Sequence, residues 1–191
     1  NDFILKIGDQ IDGLYFLLEG KYYVSSLEIT GKELLLRYSK RAAILGDIEF
    51  FENCTIQSNC IAVEECEFAY ISRNTYDKYL KNDIKFKQLL LEEFAYKLRT
   101  CTISSRVIAL SSVSVRLAAY YCTLESMHSN SEYINSKTLD EIASLIGTTK
   151  RHLNRILKKW REEDIIIRDG DNVKILDWSM IDEYSNGVRF E

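Results

Sequence analysis

Six cations stand between positions 150 and 161 with no acid among them: Lys150, Arg151, Arg155, Lys158, Lys159 and Arg161. If this run is helical, Arg151, Asn154, Arg155 and Lys158 fall on one stripe. Leu153, Ile156, Leu157 and Trp160 fall on another, roughly 180° away at about 100° per residue. One face would then be buried, and the opposite face would be cationic with an amide in it. That combination suits a helix lying in a DNA major groove. Guanidinium groups donate to guanine edges, an amide can pair with adenine, and ammonium groups hold phosphates. Arg151 and Arg155 are therefore the candidate base readers, with Asn154 a candidate reader of adenine. Lys150, Lys158 and Lys159 are candidate phosphate contacts, and Thr149 stands at the start of the run.

Most basic helix faces are simply solvated. Here the segments on either side argue for more. Thr138 followed by Glu141 is a capping box, which starts a helix. Leu139, Ile142, Ala143 and Ile146 then recur on one face. Gly147 suits a left-handed helix end, and Thr148 or Thr149 can cap the next helix. After the cationic run come Ile165–Ile167, a turn around Asp169–Asn172, and Val173–Leu176, which read as a hairpin. Helix, turn, helix and hairpin make a winged helix-turn-helix.

The formal net charge of −4 over 191 residues argues against a general nucleic-acid binder. Residues 1–80 carry 8 basic and 13 acidic side chains, residues 81–111 carry 6 and 3, and residues 112–191 carry 11 and 13. Any DNA contact must therefore come from the one helix face. No uncharged run is long enough to span a membrane, no signal peptide is visible, and a cytoplasmic location is expected. Because the chain opens at Asn1 almost directly in a strand-like run, residues upstream are expected. The five cysteines (Cys54, Cys60, Cys66, Cys101 and Cys122) form no C-x-x-C, so neither a disulfide framework nor a zinc site is signalled. His128 and His152 have no second ligand at metal spacing.

Residues 1 to about 72 read as short strands: Phe3–Leu5, Leu14–Leu18, Tyr22–Val24, Glu33–Tyr38, Cys60–Val63 and Glu67–Ile71. Five of the eight glycines punctuate the first fifty residues. Close, regular turns suggest a sandwich or jelly-roll barrel. A short helix is expected over Asn74–Leu80, then a long one from Asn82 or Asp83 to about Leu110. Leu91, Phe94, Leu98, Cys101, Ser105 and Ile108 recur in alternating steps of three and four. That stripe either packs on the barrel or forms a seam between two copies, and the seam is the preferred reading. A further helix is expected from Val113 to about Leu124, a polar loop over Ser126–Ser136, and a short helix over Trp178–Tyr184.

This order resembles the cyclic AMP receptor / FNR (CRP/FNR) family of bacterial transcription regulators over nearly the whole chain. Glu141, Ile142, Ala143, Gly147, Thr149, Leu153, Arg155 and Leu157 match its helix-turn-helix signature. Ile44–Phe51 resembles, more weakly, the start of its phosphate-binding cassette. The resemblance implies an α+β chain with a cyclic-nucleotide-binding-like jelly-roll β-barrel (1–80), a long dimerisation helix (81–111) and a winged helix-turn-helix (112–191). It implies a homodimer on a near-palindromic operator, with RNA polymerase as a partner and no enzymatic activity. Gly46, Asp47, Gln57, Ser58 and Thr102 fall where the family holds its nucleotide. Gln57 stands where nucleotide-binding members carry arginine, and a neutral amide is a poor partner for a phosphate. Ordinary cyclic AMP binding is therefore not expected. The barrel either takes another small-molecule effector or only positions the dimer, and no cofactor is expected. Lys150 and Arg151 stand where the family usually has Arg-Glu, and Asn154 replaces a small residue, so the target sequence should differ from the family's usual half-site. The competing reading is a regulatory module whose C-terminal helices dock a protein. Known catalytic motifs are absent.

Overall fold

The computed structural model describes residues 2–27, 29, 31–127 and 137–191. His128 and most of the expected polar loop lie outside the described residues. The chain divides into two compact units, Asn1–Leu27 with Leu36–Thr102, and Glu28–Leu35 with Ile103–Glu191.

The first unit carries strands β1 (Phe3–Leu5), β2 (Gly13–Glu19), β3 (Tyr22–Leu27), the part of β4 (Glu33–Ser39) from Leu36 on, β5 (Ala43–Leu45), β6 (Asn59–Ala62) and β7 (Glu67–Ser72). They form a four-stranded sheet ordered β1-β6-β3-β4 and a three-stranded sheet ordered β5-β2-β7. Leu17, Tyr22, Val24, Ala43, Leu45 and Cys60, drawn from both sheets, make one buried cluster. The expected jelly roll is thus two packed open sheets rather than a closed cylinder. Five of the six expected strands begin and end within two residues of the sequence reading, whereas three-residue β5 was not foreseen. Helix α1 (Asp47–Glu52) follows it directly. Gly46 opens α1 at φ +76°, where an added Cβ would lie 2.6 Å from Ile11 Cδ1. Both the backbone and the space there require glycine.

Helix α2 (Arg73–Thr75) runs into a π-helical turn, Tyr76–Leu80, and then comes α3 (Ile84–Leu110). Asp83 Oδ1 accepts from Phe86 N at 2.7 Å, capping α3 as the sequence suggested. Leu90 joins Leu14, Ile44 and Phe50 in a second cluster, with Phe94 against it. The row that α3 buries is largely polar: Leu90, Glu93, Lys97, Thr100, Ser104 and Val107. This row is one step round from the expected apolar stripe. Two of its charges are paired, Glu93 with Arg41 and Lys97 with Asp47. Lys97 Nζ also donates to Ile44 O at 2.6 Å. Pairing is what allows the helix to bury charge.

The second unit carries α4 (Val113–Met127), α5 (Leu139–Leu145), α6 (Lys150–Glu162), the hairpin β8 (Ile166–Asp169) and β9 (Asn172–Ile175), and α7 (Trp178–Ser185). Helix α4 runs through Ser126 and Met127, further than expected. Its core gathers Leu117, Tyr121, Leu139, Ile142, Leu153, Leu157, Trp160, Val173 and Ile181, all buried. Trp160 stacks on Tyr184 with ring centroids 5.8 Å apart. Among the described residues, no helix is long and apolar enough to cross a membrane.

Candidate nucleic-acid interface

Helix α5 starts on the capping box. Thr138 Oγ1 accepts from Glu141 N at 3.3 Å, and Glu141 Oε2 accepts from Thr138 N at 2.7 Å. The Thr138 hydroxyl also donates to Glu141 Oε2 at 2.8 Å, and this bond, with the one from Thr138 N, holds the Glu141 carboxyl below its usual range. Gly147 ends the helix at φ +66°. Arg116, buried on α4, donates from one guanidinium nitrogen to Ile146 O at 2.7 Å and to Gly147 O at 3.0 Å. It thereby fills the carbonyls that the helix end leaves open. Burial also lowers the Arg116 pKa.

Thr149, not Thr148, caps α6, accepting from His152 N at 3.3 Å. Leu153, Ile156, Leu157 and Trp160 are buried, whereas Arg151, Arg155, Lys158 and Lys159 are exposed. The two faces are segregated as their spacing predicts.

Several of the cations have partners. Lys150 Nζ lies 2.7 Å from Asp140 Oδ2 and 4.0 Å from Asp171 Oδ2. The hydrogen bond to Asp140 raises the Lys150 pKa first of all. Lys158 pairs with Glu162 at 3.7 Å and Lys159 with Glu163 at 3.5 Å, each one helical turn on. Such exposed pairs contribute little and release easily to a phosphate. Arg155 lies 2.9 Å from His152 Nε2. A guanidinium only donates, so Nε2 is the acceptor there. Asn154 Oδ1 accepts from Arg168 on β8 at 2.7 Å. Reading adenine would need that oxygen turned outward, so the structure gives Asn154 a partner the sequence did not. Asp140, Asp171 and Arg168 were all missed, because no helical or strand period links them to α6.

In the first unit, Gly46, Asp47 and Ser58 line a cavity of about 90 Å³, with Arg37, Glu49 and Lys97. Arg37 Nε and Asp47 Oδ2 are buried there without hydrogen-bond partners among the described residues. Gln57 is exposed, and its amide donates instead to Thr55 O at 2.7 Å. Its backbone N–H donates to Glu49 Oε1 at 3.0 Å. Thr102 is also outside the cavity: it is exposed and donates to Leu98 O at 2.8 Å, while Cys101 lines the cavity in its place. Of the six stripe residues on α3, Leu91, Leu98, Cys101 and Ser105 are exposed, and Phe94 and Ile108 are half-buried. Phe94 turns toward Phe51, with centroids 6.0 Å apart.

The sequence profile of the cyclic nucleotide-binding domain matches residues 1–83, and that of the Crp-like helix-turn-helix domain matches residues 115–184. The chain belongs to the CRP/FNR family. It is 24% identical over 178 residues to the cAMP-activated global transcriptional regulator CRP of Pasteurella multocida, covering 90% of this chain and 85% of that protein. A crp/fnr-family regulator from Eubacterium rectale superposes with a TM-score of 0.85 at 16% identity, covering 97% of this chain and 86% of that one. The c-di-GMP responsive regulator CLP of Xanthomonas campestris does so with a TM-score of 0.75 at 20% identity, covering 92% and 90%. At these identities the solved structures establish the fold. This CRP/FNR protein is a DNA-binding transcription regulator and not an enzyme.

Proposed function

We propose that the chain works in the cytoplasm as a homodimer that places two α6 helices in successive major grooves of a near-palindromic operator. The observation that carries this reading is the segregation of α6, with four apolar side chains buried and Arg151 and Arg155 exposed opposite them. In the dimer, Leu91, Leu98, Cys101 and Ser105 on α3 form the seam. Their exposure along one row of a 27-residue helix supports that assignment. RNA polymerase is the partner through which the bound dimer acts on transcription.

Cyclic AMP is not the effector in the usual way. The cavity of about 90 Å³ has room for a few waters, against roughly 300–1,000 Å³ for a drug-sized ligand. Position 57 offers no cation, Asp47 is occupied by Lys97, and Glu49 adds a second buried carboxylate. Arg37 also lines the cavity, but with two carboxylates beside it and no cation at position 57 the set does not suit a cyclic phosphate. Similar regulators are described as cAMP-activated and as c-di-GMP responsive, so proteins of this fold differ in what they answer to. Any effector of this barrel must bind the active and inactive states with different affinity to switch them.

Selection of purified protein on random duplex DNA should enrich an inverted repeat with half-sites about one helical turn apart. Failure to enrich any motif, with only weak and salt-sensitive binding, would contradict the proposal. Titration with a fluorescent cyclic AMP should show no saturable binding in the micromolar range.

A further inference from the structure

We infer that Arg168, on the wing strand β8, sets what Asn154 can read, so that the two side chains act as one recognition unit. The inference rests on the DNA-reading function proposed above. Arg168 Nη1 lies 2.7 Å from the Asn154 side-chain oxygen, and its Nε donates to Gly170 O at 2.7 Å. A guanidinium has donors only, so the Asn154 atom facing it must be the carbonyl oxygen. The orientation of that amide is therefore fixed by chemistry. Both residues are half-buried, and Arg168 sits opposite Val173 in the hairpin ladder. The guanidinium is thus held at one end by the wing turn and holds the amide at the other.

Arg168 takes one of the oxygen's two lone pairs and turns it to the wing, so the N–H donors are the side of the amide that Asn154 presents to the groove. Adenine is read by presenting oxygen and nitrogen together, the oxygen to N6–H and the nitrogen to N7. A donor-only Asn154 gains nothing from adenine N6–H and is left with N7 alone there, whereas guanine offers it two acceptors, O6 and N7, and thymine offers O4. The wing touches the same helix a second time: Asp171, in the turn, lies 4.0 Å from Lys150 Nζ. Arg168 is a positioning residue in this scheme, acting on base preference through Asn154.

The test is to repeat the random-duplex selection with the full chain and with Asn154→Ala, Asn154→Asp and Arg168→Met. The wild type should enrich guanine or thymine at the pair whose preference Asn154→Ala abolishes. Arg168→Met should move that one pair toward adenine by roughly tenfold and leave the rest of the motif unchanged. Asn154→Asp, which keeps the Arg168 contact but has no donor, should lose the guanine or thymine preference even if Arg168→Met does not fold. A wild type that requires adenine at that pair would overturn the inference. So would an Arg168→Met protein that binds all sequences evenly less well with its motif unchanged, which would make Arg168 a phosphate contact. A wild type that enriches no motif sinks the DNA reading itself, and that outcome is distinct from the other two.

Discussion

Replacing Lys97 by methionine removes an ammonium from the inside of the first unit and keeps its stem. Asp47 is 1% exposed and Lys97 is 6% exposed. Lys97 Nζ donates to Asp47 Oδ1 and to Ile44 O, and the other Asp47 oxygen already lacks a partner among the described residues. The variant strands a buried carboxylate. Breaking a buried pair from one side costs about 3–5 kcal/mol, against a total stability of about 5–15 kcal/mol. At a urea slope of about 2 kcal/mol/M, the unfolding midpoint should fall by about 2 M. The double variant Lys97→Met, Asp47→Asn carries no uncompensated charge and should be more stable than Lys97→Met alone. Urea unfolding followed by far-UV circular dichroism, on the wild type, both single variants and the double, closes the cycle. A Lys97→Met cost below about 1 kcal/mol, or a double variant equal to the sum of the singles, would refute the coupling.

Other expectations follow from the second unit and from the thiols. Arg116→Met should cost about 1–3 kcal/mol, because two carbonyls of the α5–α6 turn lose their donor, and Trp160 emission reports it. Gly147→Ala should destabilise the same turn by about 1–2 kcal/mol, since φ is +66° and the new Cβ would press on Arg116 at 3.1 Å. The Glu141 carboxyl titrates lower in the folded chain than in the unfolded one. Its contribution is therefore present above the unfolded value and lost as pH falls through the folded one. Thermal melts should show Glu141→Gln less stable than the wild type at pH 7 and the gap closing in acid. Burial pushes the Cys60 thiol up to about 12, so alkylation at pH 8 followed by mass spectrometry should leave Cys60 unmodified until the protein unfolds.

The second unit was the more legible part of the sequence, because its signals are local. Thr138 and Glu141 are three residues apart, and the buried face of α6 repeats within thirteen. Gly147 takes the left-handed conformation its place after Ile146 suggests. Helix α3 was harder. Its apolar residues Leu91 and Leu98 are exposed, whereas Glu93 and Lys97 are buried. Nothing near Glu93 or Lys97 reveals this, because their partners Arg41 and Asp47 lie 52 and 50 residues away. The same limit hid Arg168, which reaches Asn154 on α6 from the wing strand β8, 14 residues along the chain. In the cassette, Gly46, Asp47 and Ser58 come together as the family resemblance implies, but Gln57 and Thr102 turn to local backbone carbonyls instead. A polar side chain on a helix or short loop finds such acceptors nearby, and sequence distance alone does not show which it takes.

The central claim is that the exposed face of α6 reads DNA, and Arg155→Ala tests it most directly, since that side chain is exposed and the buried face is untouched. Fluorescence anisotropy titrations would compare the wild type and Arg155→Ala on the selected duplex and on random duplex, each at two salt concentrations. The account predicts a loss of about 1–3 kcal/mol on the selected duplex, with little change on random DNA and relaxed preference at one base pair. Equal losses on both duplexes would mean that Arg155 only meets phosphates, and would contradict the claim.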